Sequence, residues 1–212
     1  MATFLPIPVW FSRSTSLWRG ARIHGHPIRS ATGPGDPASV QVTQLRLALM
    51  KGEASVDDVT VSRRAEQPVA VIRSTCSMSE LGQRLGEILP AVHAAVLAQG
   101  RTPTQPPFVR YLDMDMENAT LDFEAGIAVD APITDADPVY ATILPGGEIA
   151  SAWHVGPYQE IGATHQRLEA WIAAHGRQQD NGRWEVYWTD PGTEPDPSKW
   201  RTEVLQVLAS GD

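Results

Sequence analysis

Trp153, Tyr158, Trp171, Trp184, Tyr187, Trp188 and Trp200 fall within 48 residues, and they include five of the chain's seven tryptophans. Aromatic side chains at this density either fill a core or line a pocket. A lined pocket suits flat apolar molecules through stacking, and cations through attraction to the ring faces. The surrounding sequence is acidic, so a carboxylate could close such a pocket with a counter-charge. Glu203 is the carboxylate best placed by pattern. Strand alternation sets Glu203, Leu205 and Val207 on one face, and Thr202, Val204, Gln206 and Leu208 on the other. A glutamate sharing a face with Leu and Val is either buried or at the strand's wet end. Glu124 shares a face with Gly126 and Ala128. That small-residue face either leaves room for a ligand or marks a solvated hairpin end.

If the pocket turns its ligand over, side chains must do the chemistry. A glutamate among apolar neighbours has its pKa raised toward neutrality and serves as a general base for water. Tyr158 and Tyr187 are placed to orient the water or a developing oxyanion. Trp153 and Trp188 would hold a flat substrate, although either could equally be core.

Other chemistries find little support. The chain has no Gly-x-Ser-x-Gly elbow and no Gly-Lys-Ser/Thr phosphate loop. Gly33 to Ala38 imitates a dinucleotide fingerprint but has no strand before it and no helix after it. We therefore expect no cofactor. Asp113, Asp115, Glu117 and Glu124 match four positions of a calcium loop, but Asn118 stands where that loop needs glycine. We read an acidic hairpin turn there and expect no metal. The six histidines show no zinc spacing. His93, His165 and His175 read as ordinary helix residues, and His154 as a structural residue near the cleft. The single cysteine, Cys76, reads as a small buried hydrophobe and excludes an intrachain disulfide.

The elements that must position these residues form a repeat. Val69 to Ile72 is a β-type run. Ser77-Met78-Ser79-Glu80 is a capping box, and Leu81, Leu85, Ile88, Leu89, Val92 and Val96 follow at helical spacing up to a stop at Gly100. Pro90 should bend this helix. Phe108 to Met114 and Thr120 to Val129 read as strands. The order then recurs: strand Glu148 to Val155, helix from Gly156-Pro157-Tyr158 to Gly176, strand Trp184 to Trp188, and strand Trp200 to Ala209. Gly100 and Gly176 are 76 positions apart, as are Tyr111 and Tyr187, while Glu124 and Glu203 are 79 apart. The expected fold class is α+β: two tandem β-α-β-β repeats, with antiparallel sheets sharing one core and a ligand cleft between the repeats.

His154-Val155-Gly156-Pro157-Tyr158, then Trp184 to Pro191, then Trp200 to Val204 resemble the GyrI-like, or AraC-type effector-binding, domain, as does Asp122 to Val129 in the first repeat. The likeness spans roughly residues 58–209. It implies a cleft between the repeats for lipophilic, often cationic, drugs and dyes, with a glutamate at the Glu203 position on its floor. It also implies two alternatives: hydrolysis of cyclopropane-bearing toxins, or inhibition of DNA gyrase. By this reading Glu203, Glu124, Tyr111, Trp153, Tyr158, Tyr187 and Trp188 bind the ligand, and Glu203, Tyr158 and Tyr187 are catalytic if the protein is a hydrolase.

Charge divides the 212 residues. Residues 1–49 hold five arginines and one acid, a net of +4, and residues 50–212 hold 12 basic and 24 acidic residues, a net of −12. We expect a disordered or weakly structured segment over 1–57, with Met50 as a second possible start, and the small-molecule-binding domain over 58–212. An acidic domain argues against direct nucleic-acid binding. No apolar run approaches the length of a membrane helix, and we expect a cytoplasmic protein. Residues 1–65 show no helix-turn-helix pattern. The expected partners are therefore a small molecule and, alternatively, a protein such as gyrase or a separate transcription regulator.

Overall fold

The helical spacing after residue 80 and the strand-like runs from Val69 onward belong to ten main elements. A computed structural model describes residues 59–210, and the segment 1–57, with Met50, lies outside the described residues. The elements are β1 Val59–Arg64, β2 Gln67–Ser77, α1 Leu81–Ala98, β3 Phe108–Asp115, β4 Thr120–Ala128, β5 Tyr140–Leu144, β6 Gly147–Val155, α2 Ile161–Ala174, β7 Gln179–Tyr187 and β8 Arg201–Leu208. Short 3-10 turns at Tyr158–Glu160 and Pro197–Lys199 lead into α2 and β8.

Both helices stop by the same device. Gly100 and Gly176 each take a φ of +65°, a left-handed conformation that glycine adopts without a Cβ penalty. Behind them the Arg101 and Arg177 N–H groups donate to Val96 and Ile172 carbonyls, both at 3.1 Å, which satisfies the last turn. The start of α1 is less direct than the capping box suggests. Glu80 accepts from the Ser77 N–H at 3.1 Å and hydroxyl at 2.7 Å. Met78 to Glu80 form a turn, and the helix begins at Leu81. It then runs unbroken through Pro90.

The sheet has eight strands in the order β1-β6-β8-β7-β3-β4-β2-β5. The two expected units, β2-α1-β3-β4 and β6-α2-β7-β8, join where β3 pairs with β7, Phe108 opposite Val186 and Tyr111 opposite Arg183. The antiparallel strands of the two units thus form one continuous curled sheet around the shared core. Each unit also has an extra leading strand. Only Ala65 and Glu66 separate β1 from β2, yet β1 pairs with β6 in the other half. Likewise β5 precedes β6 but pairs with β2. The two connections touch at Gly146, where a Cβ would lie 2.6 Å from the Glu66 nitrogen.

Both faces of this sheet carry buried side chains. On one face Leu85, Leu89, Val92 and Val96 of α1 cover Phe123, Ala125 and Ile127. On the same side Leu168 and Ile172 of α2 cover Ala150, Ala152 and Val204. On the concave face, inside the curl, Val69, Val71, Phe108, Ile149, Trp184 and Leu205 share one cluster. Each such side chain contributes about 1.5–3 kcal/mol when fully buried.

Candidate functional site

Strand alternation now decides which chemistry-bearing residues meet. On β8, Glu203 points with Leu205 and Val207 into the concave face, as its pattern requires. Glu124 on β4, and Trp153 with Trp188, lie on that face too. The two indoles are 5.8 Å apart, and Trp153 sits opposite Glu203 in register. Tyr111 and Tyr187 lie on the other side, packed against the α1 cluster. Tyr158 joins them, edge-on to Tyr187 at 5.5 Å. The residues expected to form one pocket are thus split between two faces of the sheet, and Glu203 and Glu124 are not brought to Tyr111, Tyr158 and Tyr187.

On the concave face both carboxylates are already neutralised. Arg64 donates to Glu203 at 2.5 Å, with the glutamate side chain 4% exposed. Arg110 donates twice to Glu124, by Nε at 2.7 Å and by its second nitrogen. The Tyr140 hydroxyl adds a third bond at 2.6 Å. The space that Gly126 was expected to leave for a ligand is filled by β2: a Cβ there would lie 2.0 Å from the Ala70 carbonyl oxygen and 2.7 Å from Val71. The missing side chain at Gly126 thus serves the close approach of β2 to β4. A cavity of about 320 Å³ opens at the turn end of the chain's strands, lined by Arg64, Glu66, Gln67, Gln105, Leu144 and Trp184. Its guanidinium is the one bound to Glu203, and Glu66 is exposed.

The helix face holds a third buried carboxylate, Glu185, which the sequence reading passed over. Glu185 is 3% exposed. Its Oε1 meets His165 Nε2 of α2 at 2.6 Å, and its Oε2 accepts from the Tyr187 hydroxyl at 2.8 Å. No arginine or lysine bridges to it among the described residues. The two helices lie on either side of it: α1 packs chiefly on β2 and β4 and α2 on β6, flanking the central β3–β7 seam. Tyr111, Glu185 and Tyr187 lie together on the helix face of that seam. His165 enters from α2, its ring 6.4 Å from that of Tyr111. The Tyr158 and Trp200 rings are 4.8 Å apart. The signal was present in Trp184-Glu185-Val186-Tyr187-Trp188, where alternation pairs Glu185 with Tyr187 and separates both from the tryptophans.

The electrostatics follow from burial. The Tyr111 and Tyr187 hydroxyls are pushed well above their ordinary value of 10.0, first by desolvation and then by the Glu185 charge. Tyr158 is raised by desolvation, then by Asp190 and Glu185. Asp190 is itself raised by desolvation, against one bond from the Gly192 N–H. Three tyrosines that stay protonated thus surround the Glu185 carboxyl group with ring faces and hydroxyls. His154, by contrast, is tied to Thr164 at 3.2 Å and the Pro157 carbonyl at 3.0 Å, a structural tether at the entry to α2.

Asp115 holds the β3–β4 turn by accepting from the Glu117 and Asn118 N–H groups. Cys76 is partly exposed and packs at the edge of the α1 cluster. No helix among the described residues is long and apolar enough to cross a membrane.

Among solved structures, the chain is similar to EcmrR in a complex with DNA, with 20% or less identity throughout. That match has 19% identity and a TM-score of 0.64, covering 82% of this chain and 66% of that one, so this chain spans less than two thirds of it. The EcmrR C-terminal domain matches at 20% identity and TM-score 0.64, covering 73% of this chain and 98% of that one. A hydrolase from Listeria innocua matches at 13% identity and TM-score 0.56, over 78% and 98%. SAV2435 bound to tetraphenylphosphonium matches at 11% and 0.52, over 72% and 94%. No curated protein matches the chain. Residues 57–206 match the GyrI-like small molecule binding domain. The chain belongs to that family of small-molecule-binding domains.

Proposed function

We propose that this domain binds lipophilic aromatic cations in the groove between α1 and α2, with Glu185 as the counter-charge. One observation carries the reading: of the three glutamates buried in the sheet, Glu203 and Glu124 are paired with arginines, and Glu185 is held by a tyrosine and a histidine. A carboxylate already bound to a guanidinium has little attraction left for a ligand, whereas one with hydroxyl and imidazole partners keeps most of its field. Tyr111, Tyr158, Tyr187 and Trp200 supply the aromatic walls. The likeness to SAV2435 bound to tetraphenylphosphonium supports the ligand class. Trp153, Trp188 and Glu203 act in the concave core on this reading. The test is quenching of tryptophan fluorescence by tetraphenylphosphonium and rhodamine, with triphenylphosphine oxide as the neutral control. Saturable quenching by the cations alone is expected. No quenching at millimolar cation would end the proposal.

A second reading, a cofactor-free hydrolase, is favoured by the same contact. A carboxylate that accepts from Tyr187 is arranged to take a proton from water while a neighbouring tyrosine donates to an oxyanion. Glu185 then takes the role of base that the pattern gave to Glu203, with Tyr158 as the oxyanion donor, since the single Tyr187 O–H is given to Glu185. Product analysis after incubation with a cyclopropane-bearing electrophile decides it. Turnover lost in Glu185→Gln and kept in Glu203→Gln is expected of a hydrolase, and intact substrate leaves binding alone.

A further inference from the structure

We infer that His165 is a built-in competitor for the ligand's counter-charge, so that binding of a cation in the groove releases a proton from this histidine. The inference rests on the proposed cation site and deepens it. His165 is 16% exposed, and its Nε2 lies 2.6 Å from Glu185 Oε1. That nitrogen is the only basic group bridged to Glu185 among the described residues. Its ring stands edge-on to Tyr111 on the floor of the groove. A ligand cation seated against Glu185 therefore meets His165 directly.

The charge balance is simple. With His165 protonated, imidazolium and Glu185 carboxylate form an internal ion pair, and the groove is neutral. A cation that takes the carboxylate places two positive charges side by side at low dielectric, which favours loss of the imidazole proton to solvent. One proton leaves, one cation enters, and the net charge of the groove is unchanged. With His165 already neutral, the cation binds without releasing a proton. Histidine as a residue type changes charge between about pH 5 and 8, so the two regimes fall within an accessible range.

The other groups facing His165 do not copy this behaviour. From β7, Tyr187 donates to Glu185, and Arg183 is held by Glu169 of α2 and by Gln206. From β3, Tyr111 stays protonated. Tyr158 before α2 stays protonated as well, and Asp190 lies beyond it on the loop after β7. Thr164, adjacent on α2, is committed to His154. Carboxylates as a residue type also lose their charge in acid, which would weaken cation binding there. A variant at His165 separates the two effects, because it removes one titration and keeps the other.

The experiment is isothermal calorimetry with tetraphenylphosphonium at pH 5.5, 7.0 and 8.5, in buffers of different ionisation enthalpy. These give affinity and the number of protons released. For the native protein we expect proton release approaching one at the acid end and falling toward zero at pH 8.5. Affinity should drop about tenfold for each unit of falling pH wherever a full proton is released. His165→Gln keeps a side-chain donor for Glu185 but carries no charge. It should bind more tightly than the native protein at pH 5.5, with the proton count reduced. Tight binding by the native protein without proton release at any pH overturns the inference and leaves the cation site standing. The same proton count in His165→Gln also overturns it and assigns the proton to Glu185. No binding of tetraphenylphosphonium at any pH sinks the cation site itself, and the inference with it.

Discussion

The two faces of the sheet handle buried carboxylates in opposite ways. On the concave face Glu203 and Glu124 each carry a guanidinium, from Arg64 and Arg110. On the helix face Glu185 has a tyrosine and a histidine. Burial alone therefore does not mark a functional carboxylate, because all three are at most 6% exposed. What distinguishes them is whether the fold supplies its own permanent cation. An arginine-paired glutamate ties strands together: Arg64 links β1 to β8, and Arg110 links β3 to β4 while also donating to the Ile143 carbonyl of β5 at 2.8 Å. On the proposed reading, a glutamate held by a tyrosine and a histidine is the one left for a ligand's charge.

This comparison can be broken by removing one partner at a time. The largest effect is expected for Arg64→Met or Arg110→Met, which leaves a buried carboxylate without its cation. Each should cost about 3–5 kcal/mol in urea unfolding, and a loss under 1 kcal/mol would mean the concave pairs are not structural. Gly126→Ala comes next, because its Cβ has no room against the Ala70 carbonyl. A cost of about 1–3 kcal/mol is expected, and a neutral result would contradict the tight β2–β4 approach. Glu185→Gln should fall well below both in its effect on folding, within about 1 kcal/mol, since Gln still bonds the Tyr187 hydroxyl.

Asp190→Asn gives the smallest effect, and its sign depends on pH. The folded-state value is raised by burial, so the protonated form is favoured in the folded protein. Stability is fully retained below the unfolded value of about 3.9. It declines as pH rises from there toward the raised folded value. Asn keeps an acceptor for the Gly192 N–H and never ionises. Its melting temperature should therefore exceed the native protein's by a degree or two at pH 7, about the size of a fraction of a kcal/mol, and match it at pH 3. A lower value at pH 7 would show that the charge is used.

Much of the architecture was legible because it rests on local rules. The αL glycines at 100 and 176 stop helices by a backbone conformation that few other residues adopt, and the apolar stripe of α1 has one period. The leading strands β1 and β5 escaped notice for the opposite reason. They lie at the sheet edges, have few buried residues, and pair with the other half of the molecule, which no local pattern reports. The site was half legible. Tyr158 and Tyr187 were placed by the motif around them and do meet. Glu203 was singled out by its apolar face, and that face is real, but a face shared with Leu and Val says nothing about which arginine arrives from β1. His165 carried no signal at all, because its partner lies twenty positions away on β7.

The central claim is tested most directly by one pairwise measurement, the affinity for tetraphenylphosphonium of Glu185→Gln and Glu203→Gln against the native protein at pH 8. Loss of a close counter-charge in a partly desolvated groove should weaken binding about 10-fold or more in Glu185→Gln. Glu203→Gln, on the far face of the sheet, should keep native affinity as long as it is folded. Weaker binding in Glu203→Gln, with Glu185→Gln unchanged, would place the ligand inside the concave face and contradict the account.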